Sequence, residues 1–129
     1  YKITYLNEKF VCIDGLFNII GREDVSLHSS TSIDTICENM DSSLPTIVLD
    51  HNPVDINEKT KNADIQLSGH THAGQIFPGN VITNLLYDND YGLLVQDHHS
   101  LIVSSGYGSW GFPIRFMTNC EYVEVYVSF

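Results

Sequence analysis

Two short apolar runs in the middle of the chain constrain it most, because each ends in histidine. Thr46-Ile47-Val48-Leu49 has the uninterrupted apolar character of a buried strand, and it runs straight into Asp50-His51-Asn52-Pro53. Ala63-Asp64-Ile65-Gln66-Leu67 reads as a second strand, and it runs into Ser68-Gly69-His70-Thr71-His72. Residues 51–62 just supply the dozen or so residues that a crossover between parallel strands needs. If the two strands are parallel neighbours, all three histidines gather beyond their carboxyl ends, where α/β sheets collect ligands.

The flanking segments fit the same picture. Ile3 to Leu6 and Phe10 to Ile13 read as short strands, and Asp14-Gly15 is a hairpin signal leading into Leu16 to Ile20, which Gly21 closes. Residues 22–30 are polar and read as loop. Ile33, Ile36, Cys37 and Met40 fall on one face of a helix, with Ser30, Thr31 and Ser32 offering N-cap oxygens before it. Residues 54–62 suit a short helix or turn. Further on, Val81 to Leu86, Gly92 to Gln96 and Leu101 to Ser104 read as strands, with Asp88-Asn89-Asp90 and Asp97-His98-His99-Ser100 as turns. Val123, Val125 and Val127 alternate with Tyr122, Glu124 and Tyr126, which predicts a closing strand.

His70 and His72 are spaced i, i+2, so an extended backbone would send both rings to one side, and Gly69 lets the chain approach a ligand closely. Neutral imidazole is a good ligand for zinc, iron and similar ions. His51 at the end of a neighbouring strand makes a third donor. Charge restricts what such a site can take. Six Lys plus Arg against sixteen Asp plus Glu give a formal charge of -10, which repels a phosphate backbone and excludes a nucleic-acid-binding module. A phosphorylated small substrate is repelled too, unless bound cations reverse the local field. The three cysteines, Cys12, Cys37 and Cys120, are widely spaced and read as small apolar filler.

The string Leu49-Asp50-His51-Asn52-Pro53, followed by Gly69-His70-Thr71-His72-Ala73-Gly74-Gln75, resembles the calcineurin-like metallophosphoesterase family, and most of all its bacterial membrane-associated branch. The family order is Asp-x-His, Gly-Asp-x-x-Asp, Gly-Asn-His-Asp/Glu, a lone His, then Gly-His-x-His, and the chain matches the last two elements. Gly106-Tyr107-Gly108 and Pro113-Ile114-Arg115, before a segment holding Glu121, are similar to the same branch. The resemblance covers roughly residues 18–129.

Several expectations follow from that resemblance. The fold is α/β with a mixed sheet, one half of a two-sheet sandwich flanked by helices, and residues 1–129 are the C-terminal part of a metallophosphoesterase domain. His51 and His70 ligate one metal and His72 the other. The parent uses two divalent ions (Mn, Zn or Fe), about 3.5–4 Å apart, holding a bridging hydroxide that hydrolyses phosphomonoesters or phosphodiesters. Arg115, one of six basic residues, contacts a substrate phosphate or else makes a structural ion pair. Asp24 aligns with an acidic position of the branch and serves as a loop cap or as support behind the ligands. Trp110 and Tyr107 line a pocket or pack the glycine-rich loop, and His28 is a surface residue.

The acidic motifs do not occur in the chain: there is no Gly-Asp-x-x-Asp, and Gly79-Asn80 is followed by Val81. Asp97-His98-His99 fits Asp-x-His in composition but follows the Gly-His-x-His stretch, and reads as a solvated turn. No catalytic residue is therefore assigned, and the chain alone is expected to be inactive. Its expected partners are a phosphorylated small-molecule or lipid substrate, the missing N-terminal half of the domain and a second copy of itself, not nucleic acid. The alternative is a non-catalytic metal-binding or structural domain. No apolar stretch approaches the roughly 18–20 residues that span a bilayer, so the chain is expected to be soluble and any membrane attachment to lie elsewhere in the parent.

Overall fold

Residues 3–27, 31–56 and 63–128 are described by a computed structural model, and the readings of Ser30, His28 and most of the 54–62 segment fall outside them. The Asp14-Gly15 signal makes the hairpin it promises. Strands β1 (Lys9–Ile13) and β2 (Phe17–Gly21) pair antiparallel, both turn residues take positive φ (52° and 69°), and the Ile13 carbonyl accepts from Leu16 N at 2.9 Å. Helix α1 (Ile33–Cys37) starts at Ser32, whose hydroxyl accepts from Asp34 N at 3.3 Å. It buries Ile33 and Ile36 against Ile20 and Val48, with Cys37 and Met40 packed at the margin.

Strands β3 (Thr46–Leu49) and β4 (Ile65–Ser68) are parallel neighbours, and β2 also lies parallel to β3. The last hairpin, β5 (Gly92–Gln96) and β6 (His99–Val103), joins the sheet by a parallel β4–β6 pairing, giving the order β1-β2-β3-β4-β6-β5. The chain is thus α/β with one mixed six-stranded sheet. Four parallel strands end at one edge, which is why a ligand site belongs there.

One face of this sheet is covered and the other is not. Ile20, Val48, Gln66 and Leu101 lie in register across the covered face and are at most 1% exposed. Across the other face run Ile19, Ile47 and Ile65, then Leu49, Leu67, Ile102 and Leu93, none of them buried. A sheet apolar on both faces is the inner layer of a stack, and the second layer is absent among the described residues.

Four local readings are corrected. Val81 to Leu86 is not a strand: helix α2 spans Gly79–Leu86, since Val81, Ile82, Leu85 and Leu86 repeat at helical spacing and fall on one stripe. Ile3 to Leu6 forms no strand. The valine alternation near the C-terminus is real, but a strand needs a partner ladder, and the segment takes no strand assignment. Only Asp97 and His98 make the turn between β5 and β6, whereas His99 opens β6, is 1% exposed, and places Nδ1 2.8 Å from the Ala63 carbonyl. His99 is a core residue, not a solvated one.

Candidate metal centre

Parallel pairing continues past the strand ends and sets the site. Asp50 N donates to the Leu67 carbonyl at 3.2 Å, and Gly69 N donates to the His51 carbonyl at 3.1 Å. His51 and His70 therefore emerge side by side, with ring centroids 5.0 Å apart and the rings nearly perpendicular. The end of β2 follows the same edge. Arg22 N donates to the Leu49 carbonyl at 2.9 Å, and the Glu8 carboxylate accepts from Glu23 N at 2.7 Å, which pins the segment leading to Asp24. One donor atom each from Asp24, His51 and His70 lie within 4.8 Å of one another.

The Asp24 carboxylate is held on both sides. Oδ1 accepts from Ser26 N at 2.8 Å, and Oδ2 accepts from Asn52 Nδ2 at 3.2 Å. The Ser26 hydrogen bonds hold its pKa below the usual carboxylate value, and the nearby His51 and His70 act in the same direction. Asn52 is 3% exposed, with its own backbone N donating to Asp50 Oδ1 at 2.9 Å, so its amide is a fixed prop for Asp24. Asp24 thus both caps its loop, as the sequence suggests, and stands with the histidines. The signal for this position is topological: Asp24 follows the carboxyl end of a third parallel strand, and the sequence announces the hairpin partner of β2 but not its parallel partner.

The backbone between His70 and His72 is not extended, so their i, i+2 spacing does not by itself set where the rings point. His70 and His72 have φ of 67° and 52°, and Ala73 and Gln75 also lie in the left-handed region. Such residues cost about 1–3 kcal/mol each and persist where their surroundings fix them. Here Thr71 is the fixing point: it is buried, donates from Oγ1 to the Asp90 carbonyl at 2.6 Å and accepts from Ala73 N. His70 turns toward His51, and Tyr87 meets its ring edgewise at 6.3 Å. His72 lines the same cavity but stands outside the three-donor group.

The His72 ring turns its Nδ1 toward the loop after β6. Arg115 Nη2 lies 3.2 Å from that nitrogen. An Nδ1 that accepts from Arg115 leaves the ring proton on Nε2. Arg115 itself is a loop clamp: Nη1 donates to the His72 and Asn119 carbonyls, and Nη2 to those of Ser105, Gly106 and Gly108. Carbonyls take the place of the ion-pair partner expected for it. Glu121 closes the same loop, its carboxylate accepting from Ser105 N at 3.0 Å and from the Tyr91 hydroxyl at 2.8 Å.

Burial lowers the pKa of His70, and the charge of His51 adds to it while Asp24 opposes. Burial also lowers that of His72, with Arg115 acting in the same direction. For both groups the folded chain binds fewer protons than the unfolded one. Their effect on stability is therefore neutral above the ordinary imidazole value of about 6.5 and becomes destabilising as pH falls below it. The melting temperature of metal-free protein should fall between about pH 6.5 and 5, and a His70→Gln/His72→Gln variant should show a shallower fall. Thermal melts across that range check this, and an unchanged slope in the variant would contradict it.

The donor set fits one divalent ion. A carboxylate and two imidazoles suit zinc, iron or manganese, and His51 and His70 are exposed to solvent. For a second ion, His72 is the one imidazole left at this cavity among the described residues, and no carboxylate bridges to it.

The chain is 37% identical over 126 residues to a protein of Helicobacter pylori strain J99 named as an uncharacterized metallophosphoesterase, covering 92% of this chain and 34% of that protein. A similarly named protein of Aquifex aeolicus is 35% identical over 92 residues, covering 70% of this chain and 35% of that one. A transmembrane protein with metallophosphoesterase domain from Bos taurus is 31% identical over 126 residues, 92% of this chain and 28% of that protein. No family model and no solved structure matches the chain. The chain spans about a third of the length of the curated relatives it matches. Among the described residues no helix is long and apolar enough to cross a membrane. With histidines at two adjacent strand ends, a carboxylate at a third, and this similarity over most of its length, the chain belongs to the metallophosphoesterase family.

Proposed function

We propose that the chain supplies one metal half-site of a two-ion phosphoester hydrolase, with Asp24, His51 and His70 holding the first ion and His72 contributing to the second. The observation that carries this is the convergence of the three donor atoms within 4.8 Å at the carboxyl edge of the sheet. A divalent ion there supplies Lewis acidity toward a phosphoryl oxygen and acidity to water. The chain's own residues prepare the place. Asn52 and Ser26 aim the Asp24 carboxylate, partial desolvation lowers the pKa of His70 and so favours its neutral, metal-binding form, and the Arg115 clamp holds the loop against His72. In a chain of charge -10 the ion also makes the site attractive to a phosphate.

The acidic ligands of the second ion come, on this reading, from a segment upstream of the chain in the longer protein. The test is hydrolysis of bis(p-nitrophenyl) phosphate with added manganese or zinc. The longer protein should turn it over and His70→Ala should abolish that turnover, while the 129-residue chain alone should give none. Metal-dependent turnover by the chain alone, lost on His70→Ala, would overturn the half-site assignment.

The same upstream segment is proposed to cover the bare face of the sheet. Leu49, Leu93 and Val95 are 42%, 64% and 61% exposed there. Apolar faces of this extent drive association. The isolated chain should therefore self-associate in light scattering at micromolar concentration, and addition of the upstream segment should return it to a 1:1 species. A monodisperse monomer at high concentration with a cooperative melt would contradict this.

A further inference from the structure

Helix α2 is built the wrong way round for a helix that only packs on a core. Its polar side faces the protein: Thr83 Oγ1 donates to Asp90 Oδ2 at 2.6 Å, and Asn84 Nδ2 lies 3.4 Å from Oδ1. Its apolar stripe faces out, with Val81, Ile82, Leu85 and Leu86 exposed by 49%, 55%, 80% and 73%. This stripe borders the histidine cavity, about 630 Å³, into which Ile82 and Leu86 contribute directly alongside His51, His70 and His72. Trp110, 78% exposed, also lines this cavity and is held from its backbone: Gln75 Oε1 accepts from Trp110 N at 2.6 Å, and Gln75 Nε2 donates to the Trp110 carbonyl at 2.8 Å. The cavity is of the size of small-molecule sites.

No Lys or Arg is among the described residues that line it, and the terminal nitrogens of nearby Arg115 are engaged by backbone carbonyls. A polyphosphate or nucleotide would find no cation here among the described residues and would meet a chain of net charge -10. A single phosphate ester with an aliphatic tail has both needs met: the head at the donor atoms, the tail along Ile82, Leu86 and Trp110.

We propose that the site takes phosphate esters of long aliphatic alcohols, with the alkyl chain lying between α2 and Trp110. This rests on the metal reading above only for the position of the phosphate. Trp110 is the sole tryptophan of the chain, so its fluorescence reports this cavity lining directly. Zinc-loaded chain is titrated with inorganic phosphate and with butyl, hexyl and octyl phosphate below their micelle concentrations. The expected result is a blue shift of Trp110 that grows with chain length and affinity rising by up to roughly fourfold per added methylene. Leu86→Ser should lose at least tenfold for octyl phosphate with little effect on inorganic phosphate, while Leu93→Ser, on the bare sheet face, should change neither.

The wild-type series alone decides the question if a variant fails to fold. Affinity that changes by less than threefold from butyl to octyl would overturn the proposal. So would a Trp110 shift that follows protein concentration without added ester, which would place a second copy on the stripe. A shift with phosphatidylcholine vesicles but not with dispersed octyl phosphate would place a bilayer surface there, and also overturns it. Zinc binding to wild type and His70→Ala is measured in parallel. Equal zinc affinity in the two would sink the metal reading, whereas a flat chain-length series with intact zinc binding would sink this one.

Discussion

Replacing His70 with alanine should lower the affinity of the chain for zinc or manganese at least 100-fold at pH 7.5. The magnitude follows from the kind of group removed. Loss of a partner that merely orients a metal ligand costs about 10–100-fold, and His70 is itself one of three donors within 4.8 Å. His51→Ala should do the same, because the two rings are adjacent and no other imidazole joins the group among the described residues. Asn52→Ala should fall in the smaller range, about 10-fold, by releasing the Asp24 carboxylate from its 3.2 Å hydrogen bond. Isothermal titration of wild type, these three variants and His72→Ala gives the ranking. A His70→Ala chain that binds within threefold of wild type, with His72→Ala instead losing most of its affinity, would move the ion elsewhere.

Gly74→Ala should be the most disruptive single methyl group that can be added near the site. Gly74 has φ of +75°, and a Cβ there would overlap the backbone of Gly79 and Asn80 at the start of α2. Left-handed geometry costs a non-glycine residue about 1–2 kcal/mol, and forcing extra volume into close packing about 1–3 kcal/mol. Together that is on the order of 3 kcal/mol, which corresponds to a fall in Tm of roughly 10 °C for a chain of this size. Because Tyr87 at the end of α2 meets His70, the shift should also weaken metal binding. Gly108 makes the control: a Cβ there meets nothing within 4 Å, so Gly108→Ala should leave Tm nearly unchanged. Equal melts for the two variants would show that α2 is not seated on Gly74.

The parts of the fold that could be read in advance were those written in local code. The Asp14-Gly15 turn, the Ser32 cap and the apolar runs of β3 and β4 are local signals, and the length between β3 and β4 permits the parallel pairing that the structure shows. That was enough to bring His51 and His70 together. Asp24 was undervalued because its place depends on the β2–β3 pairing, a contact between residues 28 positions apart that no local pattern announces. Val81 to Leu86 misled because an apolar, β-branched run satisfies both a strand and a helix stripe, and the tie is broken by the anchoring of Thr83 and Asn84 on Asp90. The i, i+2 spacing of His70 and His72 implied a common side only for extended backbone, and their positive φ values remove that premise. His99 was hidden by its neighbours: Asp97 and His98 are turn residues, and one step further the chain enters the core.

A single ion held by Asp24, His51 and His70 is the centre of the proposed site, and X-ray absorption at the zinc edge tests it most directly. With one equivalent of zinc bound to the chain, the spectrum should show two imidazoles and one carboxylate, with light-atom distances of about 2.0–2.1 Å and the remaining positions filled by solvent oxygen. His51→Ala should reduce the imidazole count to one. A spectrum with sulfur in the first shell, or an imidazole count unchanged by His51→Ala, would contradict the site described here.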